Sequence, residues 1–138
     1  LLHKNEDDAL FEEWFITWVR TAFRAKGNKK AINPLLTWSE TIAKSGRETQ
    51  KRFLEYCQNF FRQALLINYN TPELVYLQPQ TSGFDINKFA PFVHENNILQ
   101  INEALQDAMY HIERNGNPKI ILSDLSIKLT RFLHTKSA

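Results

Sequence analysis

Apolar residues recur along this chain at steps of three and four, the spacing of one face of an α-helix. From Asn5 to about Arg24 that face holds Leu10, Phe11, Trp14, Phe15, Trp18, Val19, Ala22 and Phe23. Asn5 can cap the helix, and Glu6, Asp7 and Asp8 place negative charge at the positive end of its dipole. Arg20, Arg24 and Lys26 load the other end, and Gly27 closes it. Asn33-Pro34 reads as a cap followed by a proline at the first helical position, where its missing amide is no loss, and opens a short second helix that runs to about Lys44. Ser45 and Glu48 have the spacing of a reciprocal capping box, which predicts the start of a third helix there. It carries Phe53, Cys57, Phe60, Phe61, Ala64 and Leu65 on one face. At roughly 22 residues and about 1.5 Å each it spans some 30 Å, the width of a small domain, which makes it a natural central helix.

The helical period fails between Asn68 and Asn97, where Asn70, Pro72, Pro79, Ser82, Gly83 and Pro91 interrupt short apolar clusters such as Leu74-Val75-Tyr76-Leu77. A structureless loop of this length is uncommon inside a compact domain, so short helical turns are expected, one of them between Phe84 and Val93. Ile98, Ile101, Leu105, Ala108 and Ile112 define a fourth helix that Asn115-Gly116 ends. Asn117-Pro118 repeats the cap-plus-proline signal, and Ile121, Leu122, Leu125, Leu129, Phe132 and Leu133 form the face of a fifth helix ending near His134. The prediction is an all-α bundle of about five helices, with an irregular segment near 69–96, in a single domain over 1–138.

Length and composition agree with one domain: 138 residues, 43% apolar and 23% charged, can bury one core without metal or disulfide staples. A net charge of +2 implies no electrostatic partner by itself. The single Cys57 excludes an internal disulfide, so a reducing, cytoplasmic setting is the expectation. No run approaches the ~18 apolar residues of a membrane span, and no signal peptide opens the chain. The first residue is Leu1, and an acidic helix start follows at once, which reads as a domain excised from a longer polypeptide.

Motifs for chemistry are missing from the pattern. The four glycines are scattered and form no phosphate loop. His94-Glu95 begins like a zinc-protease motif, but Ile98 stands where the second histidine must be, and His3, His111 and His134 are dispersed. Cys57 lies on an apolar face and reads as a buried inert thiol. No cofactor, metal or catalytic residue is therefore expected. Two basic clusters remain, Arg20, Arg24, Lys26, Lys29 and Lys30, and then Arg47, Lys51 and Arg52. Either can be a solvated helix face or a phosphate contact. The second sits at a helix start, where the dipole prefers acids, so a carboxylate within the domain or on a neighbour is expected to hold it. Trp14 and Trp18 belong either to the core alone or to an aromatic strip left exposed as a protein interface.

The segment from Ser45 to Tyr56, followed by Phe61-Arg62 and Leu65-Leu66-Ile67-Asn68, resembles the C-terminal, or collar, domain of bacterial DNA polymerase III clamp-loader subunits of the delta prime type, in its Bacteroidetes form. Leu36 and Trp38 before it, Lys88-Phe89-x-Pro91-Phe92-Val93 and Glu95-x-Asn97 after it, and the closing run from Ile112 to Ile120 with Asp124-Leu125, follow the order of that family. Cys57 and Phe60 depart from it, standing where small or aliphatic residues are expected, and the loop from Gln78 to Asp85 is less familiar.

The resemblance implies an oligomerisation domain that packs against the collars of the gamma/tau and delta subunits. Through the whole assembly it would act on the sliding clamp and primed DNA, with the nucleotide-binding AAA+ domains lying upstream of this chain. Carried onto this sequence, the family pattern falls on Gly46, Arg47, Gln50, Lys51, Phe53, Leu54 and Tyr56. Phe53 and Leu54 are then core, and Arg47, Gln50 and Lys51, with Trp14 and Trp18, are the candidates for contacts between subunits. A gamma/tau collar and a helical nucleic-acid-binding module stand as the alternatives; an enzyme has no supporting constellation.

Overall fold

Five long amphipathic segments form helices where the periodicity places them, and a one-turn helix falls in the irregular stretch. The computed structural model describes residues 6–25, 30, 32–69 and 83–136. Its elements are α1 (Glu6–Arg24), α2 (Ile32–Ala43), α3 (Arg47–Asn68), α4 (Ile86–Phe89), a 3-10 turn (Ala90–Phe92), α5 (Ile98–Glu113) and α6 (Pro118–Leu133). There is no strand among the described residues, and the fold is an all-α bundle. The expected cap Asn5, the terminator Gly27, the cations Lys26 and Lys29 and the apolar cluster at 74–77 lie outside the described residues.

Two helix starts differ from expectation. Helix α2 begins at Ile32, so Asn33 and Pro34 lie inside its first turn. Proline is tolerated there because first-turn amides have no acceptor within the helix. The capping box at Ser45 and Glu48 does not form: Gly46 is the N-cap of α3, and no side chain bonds the free amides. Ser45 instead donates its hydroxyl to the Ile42 carbonyl (2.7 Å), closing the end of α2. The connection is too short for one serine to serve both helices. Gly46 makes the turn at φ +92°, a conformation that side-chain-bearing residues rarely adopt.

The end of α5 follows the predicted Asn115-Gly116 signal. Asn115 takes the left-handed conformation at φ +63°. Its amide donates to the Ile112 carbonyl (3.2 Å), and that of Gly116 to the His111 carbonyl (2.8 Å), the paired bonds of a Schellman motif. Helix α6 then starts as read, with the Asn117 side chain accepting from the Ile120 amide and Pro118 in the first turn.

In the bundle, α6 lies against α1, α2 and α5, while α3 packs on α5 and also meets α1, α2, α4 and the 3-10 turn. The centre is aromatic. Trp18 of α1 and Trp38 of α2 stack with planes 2° apart and centroids at 4.7 Å. Trp18 is fully buried, and its indole N–H donates to the Ser126 hydroxyl of α6 (2.8 Å). The Trp38 indole donates to the Trp14 carbonyl (2.9 Å). Ser126 and Ser39 each donate to the carbonyl four residues back in their own helix, so the 3.4 Å between their hydroxyls marks a close approach of α2 to α6. A second aromatic group joins Phe15 to Phe60 (4.1 Å), Phe61 (5.2 Å) and Phe89 (6.0 Å). Each buried aromatic ring contributes about 1.5–3 kcal/mol through the surface it removes from water.

The chain between α4 and α5 makes a polar corner that the histidine pattern did not foretell. Asn97, fully buried, accepts from the His94 amide (3.0 Å) and donates to the carbonyls of Phe92 (2.8 Å) and Phe132 (3.0 Å). His94 accepts from the Asn96 amide at Nδ1 (3.2 Å), which leaves Nε2 to donate to the Thr135 carbonyl (3.0 Å). The corner is thereby fastened to the last turn of α6.

Replacing Ser126 by alanine removes the acceptor of a buried indole N–H. The expected loss of folding free energy is about 1–3 kcal/mol, read as a lower urea midpoint at unchanged slope. An unchanged midpoint means that the bond between α1 and α6 adds nothing.

Candidate interaction surface

Three cations crowd the first turns of α3, at the end of the helix where its dipole opposes them. Each is held within the domain. Arg47 donates through Nη1 to the carbonyls of Ile112 (3.2 Å) and Gly116 (3.0 Å), at the negative end of α5. Lys51 pairs with Glu113 (2.8 Å) and Arg52 with Asp7 (2.6 Å). The start of α3 therefore lies beside the end of α5, and the two helices run antiparallel. Positive charge ill placed for its own helix is well placed for the neighbour's exposed carbonyls.

Gln50 has a wholly internal role. It is buried, and its amide nitrogen donates to the carbonyls of Ile42 (3.3 Å) and Ala43 (3.1 Å), so it closes the end of α2 from the first turn of α3. It is not displayed to a neighbour. Trp18 is equally withdrawn, with no exposed surface. Trp14 is half-buried against Phe11 and, edge-on, Phe53. The exposed aromatic strip on α1 thus reduces to parts of Trp14 and Phe23, and Trp18 belongs to the core. Phe53, Leu54, Cys57 and Phe60 are all fully buried.

Electrostatic shifts follow these contacts. The hydrogen bond from Lys51 holds the Glu113 carboxyl below its ordinary value, and the same bond raises Lys51. Lys119, 2.8 Å from Glu40, lowers that carboxyl in the same way. Burial pushes the Cys57 thiol far up and keeps it from reagents in solution. Burial also raises the Tyr56 phenol, with the charge of Glu12 adding to the effect. Among the described residues no group of three or more His, Cys, Asp or Glu is arranged to hold a metal ion, and no helix is long and apolar enough to cross a membrane. In the first basic cluster Arg20 lies over the Phe84 ring at 5.8 Å, while Arg24 and Lys30 are exposed.

Among the described residues the three most exposed large apolar side chains lie on α5 and α6, while Tyr69, Phe92, Leu10 and Ile32 are open to a lesser degree elsewhere. Leu99 is 77% exposed, Ile120 66%, Ile127 52% and Tyr110 49%. Between the two helices runs a groove of about 300 Å³, lined by Ala104, Ala108, Ile121 and Leu125 with Asp107, His111, Ile120, Asp124 and Lys128. A second, wider depression of about 520 Å³ separates α3 from α5, with Leu65 and Ile98 beside Glu55, Gln58, Asn59, Arg62, Asn102 and Gln106 in its walls. The ridge of α5 bearing Leu99, Glu103 and Tyr110 stands between them. Sequence reasoning missed Leu99, Ile120 and Ile127, although each is an apolar residue off the three-and-four stripe of its helix. That displacement is the signal by which an outward apolar residue can be found.

No protein-family model, curated protein or solved structure matches this chain.

The Lys51–Glu113 pair gives a signed pH dependence. Because folding lowers the Glu113 pKa from 4.5, its contribution is present above that value and is lost as pH falls through the folded value. Glu113→Gln is expected to be less stable than the wild type near neutrality and to converge with it as acid protonates the Glu113 carboxylate, as read by thermal unfolding from neutral to acid pH. Parallel curves would remove the pair from the stability of the fold.

Proposed function

We propose that this chain is an assembly domain of the clamp-loader collar type, most closely of the delta prime subunit, and that it works by holding neighbouring subunits rather than by catalysis. The observation that carries this reading is where the resembling residues fall. Trp38 lies on α2 at the aromatic centre, with Leu36 half-buried on the same helix, and the Ser45–Tyr56 segment contains the α2–α3 corner with Gly46, Arg47, Gln50 and Lys51. Lys88 to Val93 spans the end of α4 and the 3-10 turn, Asn97 ties that corner to α6, and Ile112 to Ile120 makes the α5–α6 connection. These are the places where one helix is fastened to the next, and such positions set the geometry that an assembly domain must present.

In this reading the partners are the gamma/tau and delta subunits, and through them the sliding clamp and primed DNA in the cytoplasm. The contact residues change. Arg47 and Lys51 are engaged with α5, and Gln50 and Trp18 are buried, so the contacts between subunits fall to other exposed side chains. The internal partners of Arg47, Lys51 and Arg52 also weaken the nucleic-acid alternative, because those cations already have oxygens to bind.

The test is a pull-down at moderate salt against separately purified delta and gamma/tau subunits from the same source, with folding verified by circular dichroism. Stoichiometric capture of either is expected. Capture of neither, by a folded domain, overturns the proposal. DNA binding that falls steeply with salt would put the nucleic-acid reading in its place.

A further inference from the structure

Resting on that assembly reading, we propose that the groove between α5 and α6 is the seat of a partner helix bearing a branched apolar side chain with a lysine or arginine about one turn away. Three observations meet at this place. The groove has a mixed lining, apolar at Ala104, Ala108, Ile121 and Leu125 and polar at its rim, in which the two alanines, one helical turn apart on α5, leave room for a neighbouring backbone to come close. Its edge carries Ile120, 66% exposed, while Leu99 on the adjoining ridge is 77% exposed. Ile120 at the rim of the concavity offers apolar surface that a partner can cover.

Charge selects the occupant. Glu103 and Asp107 stand four residues apart on α5, a spacing at which like charges repel across one turn. Neither has a counter-ion among the described residues, although Glu113, Glu40, Asp124 and Asp7 each have one. Lys128, which also lines the groove, is bound to Asp124 (2.9 Å) and leaves the Asp107 edge negative. A cation brought by the partner relieves the repulsion on α5, and its apolar neighbour fills the groove. An acidic helix meets Glu103 and Asp107 and is turned away, which gives the surface its specificity. A second copy of this chain, offering the same acidic edge by two-fold symmetry, is disfavoured for the same reason.

Two substitutions at exposed positions test this without touching the core: Ile120→Glu on the apolar edge and Asp107→Lys on the acidic one. Binding of the delta and gamma/tau subunits is measured by titration for the wild type and each variant, with thermal unfolding as the check on folding. The proposal expects each variant to bind at least tenfold more weakly than the wild type at unchanged melting temperature. It also expects the Asp107→Lys loss to shrink as salt rises, while the Ile120→Glu loss persists. Wild-type binding with both variants unimpaired overturns the groove and leaves the assembly reading standing. Wild-type binding to neither subunit overturns both. Concentration-dependent self-association that Ile120→Glu abolishes replaces the basic partner helix with a second copy.

Discussion

The stacked indoles of Trp18 and Trp38 are the interaction on which the rest of the bundle depends. Their planes lie 2° apart, so they fix the mutual rotation of α1 and α2 as well as their distance. Each ring also has an N–H that burial makes expensive to leave unpaired, and the two are satisfied in different helices. Trp18 reaches Ser126 on α6, and Trp38 reaches back to the α1 backbone at Trp14. Two side chains thereby set the relative placement of three helices. The small Ser39 and Ser126 allow α2 and α6 to approach, and the Phe15, Phe60, Phe61 and Phe89 group then fills the space between α1, α3 and α4.

A second constraint works at the helix ends. In a bundle of short connections every terminus leaves carbonyls or amides that the next helix must satisfy. Here the satisfaction is mutual across junctions. Gln50 from the start of α3 closes α2, Arg47 from the same turn closes α5, and Asn97 from the non-helical corner reaches the last turn of α6. These polar contacts add direction to a core whose apolar packing alone would tolerate several arrangements. They also account for the polar residues that gather at the corners: what such residues specify is the angle between helices.

Much of this was legible in the chain. The three-and-four stripes located all five long helices, and Asn117-Pro118 and Asn115-Gly116 marked real boundaries because their chemistry is local. The capping box at Ser45 and Glu48 failed because its spacing is necessary without being sufficient. A glycine between them and an unsatisfied carbonyl at the end of α2 took the serine away. The cations of α3 read as misplaced for their own helix, but Arg47 and Lys51 find their partners on α5 some sixty residues downstream and Arg52 finds its partner on α1, and no periodicity reports a contact at such distances. Gln50 and Trp18 looked like surface candidates for a related reason. Polarity and size say that a residue needs a partner, whereas only the packing says whether that partner is inside. Conversely Ile120 and Leu99 attracted no notice, since an isolated apolar residue off the stripe looks like noise until a groove is found beside it.

The position of α6 has a consequence for the order in which the chain is made. Helices α1 and α2 emerge from the ribosome before α6, and the acceptor of the Trp18 indole, Ser126, is encoded 108 positions after it. Synthesis at about 5–20 residues per second separates the two by several seconds. During that interval Trp18 has no native acceptor and the α2 face that will meet α6 is uncovered. The aromatic centre of the domain is thus completed only when α6 arrives, and until then the apolar faces of the earlier helices lack their native cover.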